Sequence, residues 1–140
     1  MLLKDCYQIN LPKILDPRGN LSFFESRNQI PFDIKRVYWI YDVPGGELRG
    51  GHAFKDLQEV IIALSGSFDV VLNDGKEEKK FTLNRSYYGL YVPKMIWRHI
   101  ENFSTNSLAL IAANEPYREA SYIRDFDQFT QMKTDESNGI

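Results

Sequence analysis

Residues 46–66 read GELRGGHAFKDLQEVIIALSG, a glycine-bounded stretch that carries the strongest fold signal in the chain. Between its two terminal glycines lie His52, Phe54 and Glu59. The run 60–64 is apolar at every position. Because side chains alternate between the two faces of a strand, such a run predicts a strand that is covered on both faces.

The spacing of these residues is that of the metal-binding motif of cupins, with the second histidine replaced by Phe54. The motif continues with Pro93 and, five residues on, Arg98, where a metal-binding cupin has a third histidine. A metal site needs three or four converging donors, and neither a phenyl ring nor a guanidinium has a lone pair to give. We therefore expect no metal, which leaves the imidazole of His52 free to carry a proton.

The length and composition indicate one domain. A chain of 140 residues buries roughly two-thirds of its unfolded surface, so we predict a single cupin domain over 1–132 and a polar tail over 133–140. Seventeen basic residues oppose nineteen acidic ones. This balance argues against nucleic acid or an anionic membrane as a partner.

Compartment signals are few. The single cysteine, Cys6, cannot form an internal disulfide, no apolar run approaches the ~20 residues of a membrane span, and no export signal opens the chain. The expected location is the cytoplasm.

Turn-forming residues recur every 8 to 15 positions, most clearly at 16–20, 44–46 and 73–75. This rhythm is typical of an all-β sandwich or barrel. With the cupin spacing, it predicts an RmlC-like jelly-roll barrel with a short C-terminal helix. The β-rich runs between the turns are 21–25, 36–41, 59–64, 68–72, 81–83, 87–92 and 107–112.

The end of the chain changes period. Over 117–132, the large apolar residues Tyr122, Ile123, Phe126 and Phe129 recur at intervals typical of one face of a helix. We predict one helix here, packed on the barrel, and a frayed tail after it.

The residues before His52 favour a ligand site. Gly50 and Gly51 permit positive φ or close approach of a ligand, and Arg49 offers a fork of donors suited to phosphate. An unperturbed histidine has a pKa near ~6.5, so a useful fraction is neutral at pH 7. His52 is therefore a candidate general base. The competing interpretation, a turn into a strand with a histidine whose hydrogen bonds are satisfied, is outweighed by the surrounding glycine, glutamate and proline framework.

Other candidates come from strand alternation. Arg98 and His99 must point to opposite faces, and the motif spacing directs Arg98 to the interior. Arg36 and Tyr38 share a face, and a phenol beside a carbonyl can donate a hydrogen bond or relay a proton. Arg18 lies in the first clear turn. These arginines suggest an anionic ligand.

Several segments together resemble one family, the dTDP-4-keto-6-deoxyglucose 3,4-ketoisomerases, small cupins of the WxcM-like group. They read DPRG, IPFDIKRVY, RGGHA, ALSGS, GLYVP and YIRDF, at 16–19, 30–38, 49–53, 63–67, 89–93 and 122–126. The match runs in order from about residue 14 to residue 129.

The resemblance implies a function and a site. The substrate is then a dTDP-linked 4-keto-6-deoxy sugar, whose keto group moves from C4 to C3 towards 3-amino-3,6-dideoxy sugars of surface polysaccharide such as lipopolysaccharide. It further implies an enzyme without cofactors and a homodimer with exchanged N-terminal strands. His52 corresponds to the catalytic histidine, Tyr38 to the active-site tyrosine, and Arg18 and Arg98 to residues that influence the C4 epimer.

Roles for the remaining candidates are assigned by residue type. Arg36, Arg49 or Arg98 would hold the diphosphate, and Trp97, Tyr91 or Trp39 would stack on the nucleobase. Many members of the family have a second histidine where this chain has Phe54. Two alternatives stay open at this point: an epimerase acting on the same class of sugar, and a sugar-binding cupin without catalysis.

Overall fold

Twelve strands and one helix account for the regular structure in the computed structural model, which describes residues 1–139. Short 3-10 turns lie at Leu3–Asp5 and Glu119–Ser121. No helix among these residues is long and apolar enough to cross a membrane. The elements are β1 Tyr7–Asn10, β2 Lys13–Ile14, β3 Leu21–Ser22, β4 Arg36–Tyr41, β5 Arg49–Phe54, β6 Glu59–Ser65, β7 Phe68–Asn73, β8 Glu78–Leu83, β9 Tyr88–Val92, β10 Trp97–Glu101, β11 Leu108–Ala113, β12 Tyr122–Ile123 and α1 Phe126–Ser137.

Two five-stranded antiparallel sheets form the barrel, in the orders β1-β9-β6-β11-β4 and β12-β5-β10-β7-β8. The predicted all-β jelly roll is confirmed. The register places His52 of β5 opposite Arg98 of β10, so the two halves of the sequence motif meet at neighbouring positions of one sheet.

The centre of the first sheet is as apolar as predicted. Val60, Ile61, Ile62 and Ala63 of β6 are all buried. Strand β9 lies against this strand at Gly89, where an added Cβ would stand 2.8 Å from Ile62 Cγ1. A side chain at this position would therefore push the two strands apart.

The turn predicted at 73–75 is confirmed, and it joins β7 and β8 into a hairpin. The run predicted at 21–25 is strand only at β3, which pairs with β2 in a separate two-stranded sheet. This β2–β3 hairpin exposes the side chains of Ile14, Leu15 and Leu21, and Leu15 is 72% exposed. No strand of the two main sheets covers these apolar side chains.

The C-terminal helix is displaced from its prediction. Residues 117–125 contain no α-helix, because β12 pairs with the edge of β5. The helix begins after Asp125, whose carboxylate accepts a hydrogen bond from the backbone N–H of Gln128 at 3.1 Å. It continues to Ser137, into the stretch expected to be a tail, and Lys133 there donates to the carbonyl oxygens of Met1 and Met95. Residue 140 of the predicted tail lies outside the described residues.

Candidate active site

A cavity of about 450 Å³ opens between the two sheets. Strands β4 and β6 contribute one wall, and β5 and β10 contribute the other. Arg49, Gly50, Gly51 and His52 enter from β5, so the glycine-rich motif lines the cavity directly. The other lining residues are Tyr38, Trp39, Ile40, Glu59, Ile61, Arg98, Ile100, Ile111, Tyr122 and Arg124.

His52 presents an uncharged imidazole to this cavity. Its ring packs edgewise against Phe54 at 4.7 Å and against Tyr122 at 5.1 Å between centroids. Within residues 1–139 its buried Nε2 has no hydrogen-bond partner. Burial lowers the pKa of His52 to about 3, and the positive charges of nearby arginines, chiefly Arg98, contribute to this shift. The imidazole is therefore neutral at physiological pH.

Gly50 fits this histidine closely. Gly50 has φ +76°, and an added Cβ there would lie 3.4 Å from His52 Cε1. Both the left-handed backbone and the short distance favour glycine. The sequence reading of this position is thus confirmed.

A buried carboxylate joins Tyr38 to Arg98. Glu59 accepts a hydrogen bond from the Tyr38 hydroxyl on one oxygen and from Arg98 Nη1 at 2.6 Å on the other. Burial raises the pKa of Glu59, and Arg98 opposes that rise. Burial, followed by the Glu59 charge, raises the pKa of Tyr38. With donors on both oxygens, Glu59 has the contacts of an ionised carboxylate.

Arg98 is held inside the protein. Its side chain is 2% exposed, and Nε and Nη2 donate to the Ile96 carbonyl oxygen at 3.1 and 3.0 Å. The guanidinium carbon lies 5.1 Å from the centre of the Phe54 ring. The predicted interior position is confirmed. These contacts use the donors that a diphosphate would need. Arg98 cannot leave them for a phosphate, because Glu59 would then be an unpaired buried charge.

Two further arginines approach the site. Arg124 makes a bidentate pair with Glu119 at 2.8 and 3.1 Å and lies over the Tyr122 ring. The guanidinium of Arg36 lies over the Tyr38 ring, and its buried Nε and Nη2 lack a hydrogen-bond partner in the described part of the chain. With Arg49 they give the cavity a positive surround suited to an anion.

Three predicted site residues lie elsewhere in the single chain. The Arg18 side chain is 90% exposed and pairs with Asp16 at 2.8 Å, at the tip of the β2–β3 hairpin. Trp97 packs against Phe126 and Phe129 of the helix, because its neighbour Arg98 takes the inward direction.

Tyr91 is likewise outside the cavity. Its ring contacts Tyr7 at 4.9 Å, and its hydroxyl donates to Gln58 Oε1 at 2.6 Å. The stacking roles predicted for Tyr91 and Trp97 therefore conflict with their packing. Trp39 borders the cavity, but its side chain is exposed and alternates with Tyr38, so it points to the opposite face of β4.

Three polar lining residues have no predicted role: Glu59, Tyr122 and Arg124. The sequence does signal Glu59, because the cupin motif requires a glutamate at this position. Tyr122 and Arg124 were assigned to a helix, and only the long-range pairing of β12 with β5 brings them to the cavity.

The donors at the motif positions do not suit a metal ion. Phe54 is fully buried beside His52, and Arg98 already occupies one oxygen of Glu59. In the part of the chain that the structure describes, no group of three or more His, Cys, Asp or Glu side chains converges as metal ligands would.

Comparisons with known proteins place this chain among relatives of one kind. The family model described as WxcM-like, C-terminal matches residues 4–134. A TDP-4-oxo-6-deoxy-alpha-D-glucose-3,4-oxoisomerase from Aneurinibacillus thermoaerophilus is 43% identical over 121 residues, which make up 86% of this chain and 87% of that protein.

Structural comparisons point the same way. A sugar 3,4-ketoisomerase from Thermoanaerobacterium thermosaccharolyticum, crystallised with TDP, matches at TM-score 0.94 and 36% identity, covering 96% of this chain and 98% of that chain. The rmlC epimerase of Mycobacterium tuberculosis, at 18% identity and TM-score 0.71, covers 84% of this chain and 66% of that chain and shares the fold alone.

Proposed function

The chain belongs to the WxcM-like, C-terminal family, and from this membership and the cavity around His52 we propose that it is a sugar-nucleotide 3,4-ketoisomerase. Its substrate is a dTDP-linked 4-keto-6-deoxyhexose, and the keto group moves between C4 and C3. The product carries a ketone at C3, ready for conversion into a 3-amino-3,6-dideoxy sugar.

The unpaired Nε2 of His52 in the cavity wall is the observation that carries the proposal. A proton on the carbon beside a ketone can be removed by an imidazole when the developing enolate oxygen is stabilised. His52 takes this proton from C3 and returns it to C4 of the enediol. One base performs both transfers because the two carbons are neighbours.

Charged and polar groups around His52 support the rest of the substrate. Arg36 and Arg49 are suited to the diphosphate, since a guanidinium binds phosphate oxygens in a bidentate manner. Tyr38 and the inward-facing Arg98 lie beside the sugar oxygens. Residues of the chain alone provide this set, so the reaction needs no cofactor.

A homodimer with exchanged N-terminal strands also forms part of the proposal. The apolar side chains of the β2–β3 hairpin are exposed, and so are Val37, Trp39 and Tyr41 on the edge strand β4. Exchange of the hairpins would cover both surfaces. It would also carry Arg18 to the cavity of the partner.

A cytoplasmic location stays a prediction, supported by the free thiol of Cys6.

The test is to incubate the protein with dTDP-4-keto-6-deoxyglucose in deuterated buffer and to follow the sugar carbons by NMR. We expect the ketone to appear at C3. His52→Asn should lower the turnover rate by about 100-fold or more, which is the effect of losing a general base. His99→Asn is the matched control, because His99 lies outside the cavity and contacts Glu101.

Three results would count against the proposal. Label incorporation with the ketone still at C4 would indicate an epimerase. Binding of the nucleotide sugar by the parent protein with no reaction would indicate a sugar-binding cupin. Full turnover by His52→Asn would remove His52 from the chemistry.

A further inference from the structure

Moving a ketone between two carbons requires two proton transfers. One proton leaves C3 and arrives at C4, and a second leaves the hydroxyl on C3 and arrives at the oxygen on C4. His52 accounts for the carbon-bound proton in the proposed function, on which this inference rests. The oxygen-bound proton needs a group of its own.

Few groups at the cavity can hold that proton. The ionisable residues that line it are His52, Glu59, the tyrosines Tyr38 and Tyr122, and the arginines Arg49, Arg98 and Arg124. Guanidinium groups do not release protons in proteins, and a phenol accepts one only if it passes its own to a base. Among these lining residues, Glu59 is therefore the acceptor left beside His52.

We propose that Glu59, acting through the hydroxyl of Tyr38, takes the proton from the C3 hydroxyl and returns it to the oxygen on C4. Tyr38 touches the substrate, and Glu59 is the positioning residue behind it. Nothing in the family relationship or in the sequence motif assigns Glu59 this role, because a cupin glutamate at this position is a metal ligand when a metal is bound.

The direction of the Tyr38 hydrogen bond supports the proposal. The single hydroxyl proton of Tyr38 is directed to Glu59, so the phenol oxygen offers only lone pairs to the cavity. In this state Tyr38 accepts from a substrate hydroxyl and does not donate to a ketone. Only when Glu59 carries the extra proton can Tyr38 donate towards the cavity.

The surroundings of Glu59 suit a temporary proton. Burial favours its neutral form, while Arg98 holds the second oxygen at 2.6 Å and favours the carboxylate. These opposing effects let the group gain and lose a proton without leaving its place. Arg98 is itself fixed by the Ile96 carbonyl oxygen, which keeps the Glu59 carboxylate in one orientation.

Each step balances. As His52 removes the C3 proton, the C3 hydroxyl passes its proton to the Tyr38 oxygen and Tyr38 passes its own to Glu59. Glu59 then returns a proton to Tyr38, which gives its proton to the oxygen on C4. When protonated His52 delivers its proton to C4, the electrons on the C3 oxygen form the new carbonyl, and both side chains regain their starting states.

Phe54 bears on this assignment. It is fully buried against His52, at the position of the second histidine in the cupin motif. That ring cannot exchange protons. The Tyr38–Glu59 pair is left to serve the oxygens.

The test separates carbon exchange from ketone movement. In deuterated buffer with dTDP-4-keto-6-deoxyglucose, we compare the parent protein with Glu59→Gln, Tyr38→Phe and the double variant. Glutamine can still accept from Arg98 but offers its amide to Tyr38 and cannot hold the proton. We expect ketone movement to fall by at least about 100-fold, whereas deuterium exchange at C3 stays within about tenfold of the parent.

The double variant should be no slower than either single variant, since both changes break one relay. If Glu59→Gln does not fold, Tyr38→Phe gives the same readout, because it leaves the Glu59–Arg98 pair intact. The relay is overturned if ketone movement persists in these variants, or if exchange at C3 is lost in equal measure. A parent protein that moves no ketone would overturn the proposed function instead.

Discussion

At the scale of single residues, the site depends on charge compensation. Glu59 and Arg98 are both buried, and each makes the other tolerable inside the barrel. His52 has no such partner within residues 1–139. It therefore stays neutral, since a second positive charge beside Arg98 would be unfavourable.

The neutral imidazole predicts an unusual pH dependence. Because the pKa of His52 is lowered from 6.5 to about 3, kcat/KM should not fall as the pH is reduced through 6.5. Rates measured between pH 7.5 and 5.0 test this point, with substrate stability checked at each pH. A fall in kcat/KM with a midpoint near pH 6.5 would contradict a buried, neutral His52.

The same shift predicts how stability changes with pH. The unfolded chain binds a proton at His52 below about 6.5, whereas the folded chain does so only near 3. The stability contributed by neutral His52 is complete above 6.5 and is lost as the pH falls towards 3. Urea unfolding at pH 7.5 and 5.0 should show a smaller loss for His52→Asn than for His99→Asn. Equal losses would indicate that His52 is not buried in this way.

At the scale of elements, close strand contacts hold the walls of the cavity. Strand β6 carries Glu59 inward, and β9 keeps β6 in register from Glu59–Val92 to Ile62–Gly89. The absence of a side chain at Gly89 lets Val60 and Ile62 pack against β9. The missing side chain at Gly89 thus helps to hold the Glu59 carboxylate in place.

Gly89→Ala should destabilise the fold by about 1–3 kcal/mol, the usual cost of overpacking. Its Cβ would lie 2.8 Å from Ile62 Cγ1 and 2.9 Å from the Ile61 carbonyl oxygen. Gly45→Ala is the matched control, because nothing lies within 4 Å of a Cβ there. The free energy of unfolding in urea measures both. Equal stability of the two variants would show that β9 moves aside freely.

At the scale of the whole molecule, the single chain leaves its N-terminal hairpin and one sheet edge uncovered. The hairpin exposes Leu15 and Leu21, and β4 exposes Trp39 and Tyr41. Strand β4 pairs with β11 alone in its sheet. Both surfaces are of the kind that a second copy would cover.

We predict a dimer of about twice the 16.3 kDa chain mass, measured by light scattering. If Arg18 serves the cavity of the partner, Arg18→Ala and His52→Asn should both be slow alone. A mixed dimer of the two variants should regain activity, because it holds one site with both residues intact. A monomer, or no recovery in the mixed dimer, would contradict strand exchange.

Local sequence patterns are enough to predict the fold class and the central residue of the site. Turn spacing and the apolar run of β6 predict antiparallel strands, since both are local properties of the chain. The motif spacing identifies His52 and directs Arg98 inward through strand alternation. Each of these inferences depends on residues close together in the sequence.

The groups that surround His52 come together through long-range contacts. Tyr122 and Arg124 reach the cavity through pairing with β5, and their three- and four-residue spacing had indicated a helix. Glu59 contacts Tyr38, 21 residues away in the sequence, because β4 and β6 both face the interior of the barrel. Such contacts depend on how the whole chain closes into a barrel, and local patterns do not contain that information.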